Sequence, residues 1–290
     1  MSSYAVITPA RDEAGSLPRL AAALAAQTQP PAAWVVVDDG STDGTPAVLE
    51  ALARDHAWVR PWRWTSGDGT HLNAGRREGR ALEAFRAGLA ALAAPVDVVI
   101  KVDADVDFDP GYCEELLRRF ESDPELGIAS GTCLELEDGA WVRRTKADTT
   151  VWGASRAYRW DCIPDVLALA PRMGWDGLDE LSVQRRGFRT QAFSDLPFRH
   201  HRAEGARERS ALHHGDAQGR AAWYMGYRPS YLALRALYRA RRQPTALAML
   251  WGYASAAVRR EPRCPDEGVR ATLRDRQRLR TALRRGAPSS

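Results

Sequence analysis

Carboxylate residues follow an apolar run in the middle of the chain. The run Val98 to Val102 leads into Asp103 and Asp105, two residues apart, and Asp107 and Asp109 come directly after them. The run is short enough to be a buried strand. Four carboxylates within seven residues repel one another, and a divalent cation would relieve that repulsion. A solvated acidic turn is the other interpretation of this segment, so the rest of the chain has to decide.

Two more acidic loops follow predicted strands near the N-terminus. The first strand, residues 4–8, leads into residues 9–13, and the second, residues 34–38, leads into the turn-rich stretch 39–45. Strands that alternate with helices predict an α/β class with a parallel sheet, whose loops gather along one edge. A nucleotide across that edge would find hydrogen-bond acceptors after the first two strands and metal ligands after the fourth.

The remaining elements are predicted from apolar periodicity and turn residues. In the first half we expect helices over about 16–27, 45–56 and 81–92 and strands over 59–62 and 96–102. In the second half we expect a helix over about 110–122, a strand over 128–136, a short helix ending near Gly187 and a last strand over 190–193. The residues beyond about 205 are predicted to be helical.

Charge is unevenly distributed along the 290 residues. Residues 1–198 hold 21 Lys and Arg against 30 Asp and Glu, a net −9, whereas residues 199–290 hold 20 against 7, a net +13. A basic region of this kind can face phosphates, anionic lipid or nucleic acid. The other interpretation is a compositional bias, because the chain has 39 Arg and only 2 Lys.

Cysteine spacing and the N-terminal residues point to a cytoplasmic protein. The four cysteines are far apart, with no CxxC pair, and the N-terminus lacks the basic and then apolar pattern of a signal peptide. The longest uncharged run near the end, Gln243 to Val258, is 16 residues. A membrane span needs about 20 apolar residues, so we expect a core hairpin here rather than an interfacial helix.

Three motifs together resemble a known family. Residues 7–13, 37–45 (with the stretch DDGSTDGT) and 102–105 are similar, in order and spacing, to the signatures of family 2 glycosyltransferases. The resemblance covers about residues 4–202. It implies a GT-A (Rossmann-like), mostly parallel sheet flanked by helices over residues 1–204, with a donor half over about 1–109 and an acceptor half over 110–204. Residues 205–290 would be a basic helical C-terminal extension.

The resemblance also implies a reaction and a donor site. The family transfers a sugar from a nucleoside-diphosphate sugar, here expected to be a UDP-sugar, to an acceptor hydroxyl with inversion and with Mg²⁺ or Mn²⁺. Carried over by position, the metal ligands would be Asp103 and Asp105 with a histidine from the pair 200–201, where His200 is favoured by alternation from Phe198. The donor-binding residues would be Pro9, Ala10, Arg11, Glu13, Asp38, Asp39, Arg77, Asp103 and Ala104, with Arg76 and Arg80 near the diphosphate. Asp12 stands where the family often has Asn.

The family also places a general base at the start of a helix that a glycine closes 11 residues later. Counting back from Gly187 gives Asp176, which Trp175 precedes where the family usually has Glu. An inverting transfer needs such a base to take the proton of the acceptor hydroxyl. Asp179 is the alternative base, and a helix N-cap is the structural interpretation of either residue.

Two rival functions stay open at this point. A sugar nucleotidyltransferase would use a similar sheet, although residues 9–15 do not supply the Gly-rich phosphate loop that its chemistry favours. A non-enzymatic protein could instead use the basic region to bind nucleic acid or membrane. No known sequence-reading motif is present, so we expect no sequence-specific nucleic acid partner. We expect the acceptor to be a saccharide or a lipid-linked sugar. We also expect the protein to lie peripherally on the anionic inner membrane face, held there by basic helices that include Tyr224 to Arg242.

Overall fold

A computed structural model describes residues 2–64, 79–137, 139–144, 150–202, 211–241 and 243–278. The chain forms two compact units. The first comprises Met1–Pro171 and Val183–Ala206, and the second comprises Arg172–Ser182 and Arg207–Ser290.

One mixed sheet forms the centre of the first unit. Its strands, in chain order, are β1 (Tyr4–Ala10), β2 (Ala33–Asp38), β3 (Val59–Arg63), β4 (Val98–Val102), β5 (Val106–Phe108), β6 (Leu126–Glu137), β7 (Ala140–Arg143), β8 (Ser155–Arg159) and β9 (Arg189–His200). Their order across the sheet is β3-β2-β1-β4-β8-β6-β9-β5, and β7 pairs with β6 off this path. The block β3-β2-β1-β4 is parallel, as predicted, whereas β8 runs antiparallel to both β4 and β6.

Helices of the first unit cover the sheet. They are α1 (Leu17–Ala25), α2 (Thr45–Asp55), α3 (Arg80–Ala90), α4 (Tyr112–Ser122) and α5 (Ile163–Leu167). A further helix, α6 (Trp175–Arg185), begins in the second unit and ends in the first. Leu17, Leu20 and Leu24 lie on one face of α1 and are fully buried in the core. Residues on β1, β2 and β4 are buried almost throughout, which explains why these strands are continuous apolar runs.

The last strand is longer than its sequence predicts. We expected it to end at Phe193, but β9 continues to His200 after a register shift. Gly131 pairs with Phe193 and the next residue of β6 pairs with Pro197, so residues 194–196 bulge out of the ladder. A Cβ atom on Gly131 would lie 1.9 Å from the carbonyl oxygen of Leu196, so only glycine admits this close approach. The prediction was wrong because the polar Ser194 and Asp195 of the bulge, followed by Pro197, resemble the end of a strand.

The second unit is helical in its described residues. Besides the start of α6 it contains α7 (Ala211–Met225), α8 (Pro229–Ala240), a 3-10 turn (Pro244–Leu247), α9 (Ala248–Val258) and α10 (Glu267–Arg276). The predicted hairpin over residues 243–258 is therefore wrong, since this run forms the 3-10 turn and α9. Among the described residues, no helix combines the length and the apolar character that crossing a bilayer requires.

Candidate active site

The loops after β1 and β2 are joined by the side chain of Asp12. Its carboxylate accepts hydrogen bonds from the backbone N–H groups of Thr42 (2.7 Å) and Asp43 (3.3 Å), and its own φ is +53°. The Thr42 N–H is the main reason that the pKa of Asp12 lies below its ordinary value. An Asn side chain would accept the same bonds through its amide oxygen. Asp12 therefore makes the same link between the loops as the Asn expected at this position.

The backbone holds the predicted nucleoside-binding residues at this edge. Pro9 and Ala10 are the last residues of β1, beside Val37 and Asp38 of β2. The buried carboxylate of Asp38 accepts the Ser41 N–H at 2.9 Å, which closes the turn that begins the second loop.

Arg11 and Glu13 complete the first loop. Arg11 donates from its Nη1 to the carbonyl oxygen of Asp39 at 2.6 Å, and the Asp39 N–H donates to Ala10 at 2.9 Å. The Glu13 N–H donates to the Thr45 hydroxyl at 2.8 Å. Backbone groups and the side chains of Arg11 and Thr45 thus hold the loops together, and the buried Glu13 and Asp39 carboxylates lie at this edge of the sheet.

Asp103 is held directly after β4 by two partners. Its backbone N–H donates to the carbonyl oxygen of Ala154 at 2.8 Å, and its carboxylate is paired with the buried ammonium of Lys101. The same ammonium donates to Gly153 at 2.8 Å. Ala104 is buried, and Asp105 follows it directly before β5.

Asp105 and His200 form a buried pair. In the antiparallel pairing of β5 with β9, Val106 lies opposite His200, and the His200 Nε2 atom is 3.3 Å from the Asp105 Oδ1 atom. Burial opposes ionisation of Asp105, but the hydrogen bond from His200 and the charges of His200 and Arg202 outweigh it, so the pKa of Asp105 lies below its ordinary value. Burial likewise opposes charge on His200, yet its hydrogen bonds to Asp105 and Cys133 and the charges of Asp105 and Asp103 raise its pKa to about 10.

Arg202 connects the first loop with Asp105. Two of its guanidinium nitrogens lie 3.0 and 3.2 Å from the two carboxylate oxygens of Glu13, and its Nε atom is 3.5 Å from the Asp105 Oδ2 atom. Carboxylates that follow β1 and β4 are therefore within reach of one cation. The sequence reasoning assigned no role to Arg202, although its position directly after the histidine pair was a usable signal.

The far side of the His200 ring faces β6. The His200 Nδ1 atom lies 3.8 Å from the Glu135 Oε1 atom, and Arg144 donates to the other oxygen of Glu135 at 2.6 Å. Cys133, Glu135 and His200 are all buried, and one donor atom of each lies within 4.8 Å of the others. Sequence reasoning missed Cys133 and Glu135, which alternation along β6 places on one face.

His201 belongs to a separate cluster. Its ring is bonded to Asp107 and packs edge-on against the ring of Trp141, with centroids 5.1 Å apart. Arg199 is paired with the same carboxylate and with Asp109 at 2.9 Å. Asp107 lies in β5, where it is opposite Arg199 of β9. The two histidine side chains thus have different aspartate partners, and only the His200 ring lies against the Asp105 carboxylate, although the His201 backbone N–H donates to the Asp105 carbonyl oxygen at 3.0 Å.

The predicted base residues lie on the part of α6 that belongs to the second unit. Asp176 is exposed in the first turn, and Asp179 is fully buried and accepts the Glu180 N–H at 2.6 Å. Gly187, with a φ of +96°, follows the end of this helix.

Three arginines are predicted to lie near the diphosphate. Arg76 and Arg77 lie outside the residues that the structure describes. Arg80 is buried at the start of α3 and pairs with Glu83 at 2.7 Å.

The donor set fits a hard divalent cation. Asp103 and Asp105 offer carboxylate oxygens, and His200 would offer an imidazole nitrogen once an ion displaced its proton; these donor types suit Mg²⁺ or Mn²⁺. The guanidinium of Arg202 already lies against Asp105 and shows that a positive charge is accommodated there.

The sequence matches the profile of one protein family, described as glycosyl transferase family 2, over residues 5–159. The chain belongs to glycosyltransferase family 2. The matched region contains β1 to β8 and both acidic loops, together with Asp103 and Asp105. His200 and Arg202 of this family 2 chain lie beyond the matched region. No curated protein sequence matches the chain.

Solved structures of S. aureus TarS have a similar fold. The structure of TarS 1–349 in complex with UDP is 14% identical with a TM-score of 0.56, and the alignment covers 89% of this chain and 72% of the TarS chain. A second structure of TarS 1–349 is 16% identical with a TM-score of 0.55, and the alignment covers 87% of this chain and 72% of the TarS chain. A longer TarS structure is 15% identical with a TM-score of 0.54, and the alignment covers 76% of this chain but only 39% of that TarS chain. At this identity the likeness shows the fold alone, and it confirms the GT-A arrangement of a sheet flanked by helices.

Proposed function

We propose that this family 2 protein is a metal-dependent, inverting glycosyltransferase of hexosyltransferase type that uses a nucleoside-diphosphate sugar. The observation that carries the proposal is that Arg202 binds both Glu13 and Asp105, while His200 lies against the other carboxylate oxygen of Asp105. A nucleoside site and a cation site would then be adjacent, as a bound nucleoside diphosphate requires. The UDP complex of S. aureus TarS supports a UDP-sugar as the donor.

Donor binding would depend on the first-unit loops. We assign Glu13 and Asp39 to the nucleoside, because both carboxylates are buried acceptors at the carboxyl ends of parallel strands. Pro9, Ala10, Arg11 and Asp38 would shape this pocket through the backbone contacts that hold the two loops together. We also assign Arg77 to the diphosphate from its position in the family motif. Arg202 would supply a second guanidinium there, since its fork suits phosphate oxygens.

Asp103, Asp105 and His200 would hold Mg²⁺ or Mn²⁺, with Ala104 between the two carboxylates. When bound, the ion would neutralise the diphosphate charge that develops as the nucleoside diphosphate leaves. Lys101 and Arg202 fix two of these ligands and keep their charge balanced in the buried site. Glu135 faces the other nitrogen of the His200 ring, where it would fix the orientation of the ring.

Asp176 would take the proton from the acceptor hydroxyl as its oxygen attacks the anomeric carbon, which gives inversion in a single displacement. Its exposed position at the start of α6 supports this role, because a base must reach an incoming acceptor. Asp179 is the less suitable candidate, since it is buried and bonded to the N–H of the next residue. The acceptor would be a saccharide or a lipid-linked sugar.

A ligand screen followed by product analysis tests the proposal. Thermal shift with UDP-, GDP- and dTDP-sugars, each with and without Mn²⁺, should give a Mn²⁺-dependent stabilisation by one nucleotide class. The same donor should then yield free nucleoside diphosphate and a glycoside of inverted anomeric configuration by NMR. Release of pyrophosphate would instead indicate a nucleotidyltransferase, and salt-dependent retention on nucleic acid without donor binding would indicate a non-enzymatic protein.

We propose a cytoplasmic location. All four cysteines lie in the described part of the chain and are buried and free, as a reducing compartment would favour. Labelling of the native and the denatured protein with a thiol reagent would test this proposal, which predicts four reactive thiols only after denaturation.

A further inference from the structure

Helix α9 has an apolar row on its solvent side. The row consists of Leu247, which precedes the helix, and Trp251, Ala254 and Val258, at spacings of four, three and four residues. Trp251 is 72% exposed and Val258 is 83% exposed, so this face has no covering element among the described residues. Single exposed apolar residues are common on soluble proteins, but an unbroken row along one helix face is not.

The opposite face of α9 is already packed. A Cβ atom on Gly252 would lie 2.1 Å from the Asp216 carbonyl oxygen, and one on Gly219 would lie 2.1 Å from that of Met249. The backbones of α7 and α9 are therefore in close contact, and Met249 and Ala256 are buried beside them. Helix α9 contains no charged residue, and the contacts among the described residues use only one of its faces, so they do not explain the apolar character of the other.

Helix α8 of the same unit has a second exposed apolar row. Leu234, Leu237 and Tyr238 are at least half exposed, whereas Leu232 and Ala236 are buried in a small core with Met249. The guanidinium of Arg241 lies over the Tyr238 ring, 5.8 Å from its centroid. An aromatic ring with an arginine beside it is typical of the lipid–water interface.

The charge of this segment has one sign. Between Ala217 and Arg260 the sequence holds eight arginines and no Asp or Glu. Arg259 and Arg260 are exposed and directly follow the apolar row of α9. Arg220 is paired with Asp216 and Glu261 at the borders of this segment, so its charge is balanced. The exposed Arg259 and Arg260 beside the apolar row complement the anionic headgroups and the apolar interior of a membrane leaflet.

We infer that the apolar row of α9, with Arg259 and Arg260, binds the surface of an anionic phospholipid bilayer. This membrane contact is not the one expected from the sequence. The sequence favours a contact through Tyr224 to Arg242 and disfavours an interfacial helix over residues 243–258. The inference does not rest on the proposed transfer reaction. Binding to the bilayer would be peripheral, with Trp251 at the headgroup level and the arginines against lipid phosphates.

Vesicle flotation with the full chain tests this inference. The protein should float with vesicles of phosphatidylcholine and phosphatidylglycerol at low salt, should float less at high salt and should stay unbound with phosphatidylcholine alone. Trp251→Glu should lower the partition coefficient at least about tenfold, because it places a carboxylate within the apolar row. The double variant Arg259→Gln and Arg260→Asn should lower it by a similar factor and weaken its salt dependence.

The control variant is Leu167→Glu on α5, which changes an exposed leucine of the first unit and should bind vesicles as the unmodified chain does. Circular dichroism would show that each variant is folded, and Trp251→Ser serves as a milder change at the same position. Absence of flotation at low salt, or unchanged flotation of both Trp251 variants, would overturn the inference. Self-association through Trp251 in sedimentation velocity, without binding to vesicles, would also overturn the inference. A second copy of the chain, and not a bilayer, would then cover the apolar row of α9.

Discussion

Replacement of His200 by alanine is the most discriminating test of the proposed metal site. His200 and His201 are neighbours in sequence, yet His200 is beside Asp105 and His201 is beside Asp107. Replacing His201 is therefore a matched control, which removes the same side chain and leaves the Asp105 cluster intact. The pair of variants separates a role in metal binding from a general effect of losing an imidazole.

The expected magnitude follows from the position of the ring. Loss of a hydrogen-bond partner of a metal ligand typically costs about 10- to 100-fold in metal affinity, so loss of the ligand itself should cost at least about 100-fold, or roughly 2.8 kcal/mol. Asp105 would keep Arg202 as a partner 3.5 Å away, so we expect His200→Ala to remain folded. His201→Ala breaks a partly exposed contact and should change Mn²⁺ affinity by no more than about twofold.

Calorimetric titration with Mn²⁺ and UDP measures the effect directly, and the rate of UDP release as a function of Mn²⁺ concentration gives a second measure. Circular dichroism of both variants supplies the folding control. Equal losses in the two variants, or a larger loss in His201→Ala, would refute the assignment of His200 to the metal.

Three further predictions concern the base, the β6 cluster and the second unit. Asp176→Asn should lower kcat about 10²- to 10⁴-fold with little change in the Kd for UDP. Asp179→Asn should chiefly lower the thermal unfolding midpoint. A reversal of these two results would assign the base to Asp179. Cys133→Ser should leave Mn²⁺ affinity within about twofold by calorimetry; a loss as large as that of His200→Ala would place the ion at the β6 side of the ring. Gly219→Ala should destabilise the protein by about 1 to 3 kcal/mol in urea unfolding, because overlap with Met249 outweighs the helix-propensity gain of about 1 kcal/mol. An unchanged or raised midpoint for that variant would contradict the close packing of α7 on α9.

The acidic loops could be predicted from sequence because each is a local feature. An apolar run that ends in carboxylates defines the C-terminus of a buried strand, and the parallel order of neighbouring strands then brings the loops to one edge. Asp39 and Asp103 could be located in this way without knowledge of any contact between them.

The partners of Asp105 could not be predicted, because they depend on pairing between distant segments. The contact with His200 follows from the register of β5 on β9, which exists only because the bulge after Phe193 lets β9 continue. A one-residue change of register would turn His201 toward Asp105 instead, since successive side chains of a strand point to opposite faces. Sequence alternation from Phe198 favoured His200, but the sequence gives no sign of where the ladder resumes after the bulge.

The outer face of α9 was unpredictable for a different reason. The helix is apolar all round, so periodicity does not distinguish the packed face from the exposed one. Glycines decide it, because Gly219 of α7 and Gly252 of α9 allow the two backbones to meet on one side only. Trp251 is then left on the other side as a consequence of where the smallest residues lie. The exposed row is therefore fixed by the packing of the second unit, and substitutions within the row test lipid binding without removing a contact that holds the helix in place.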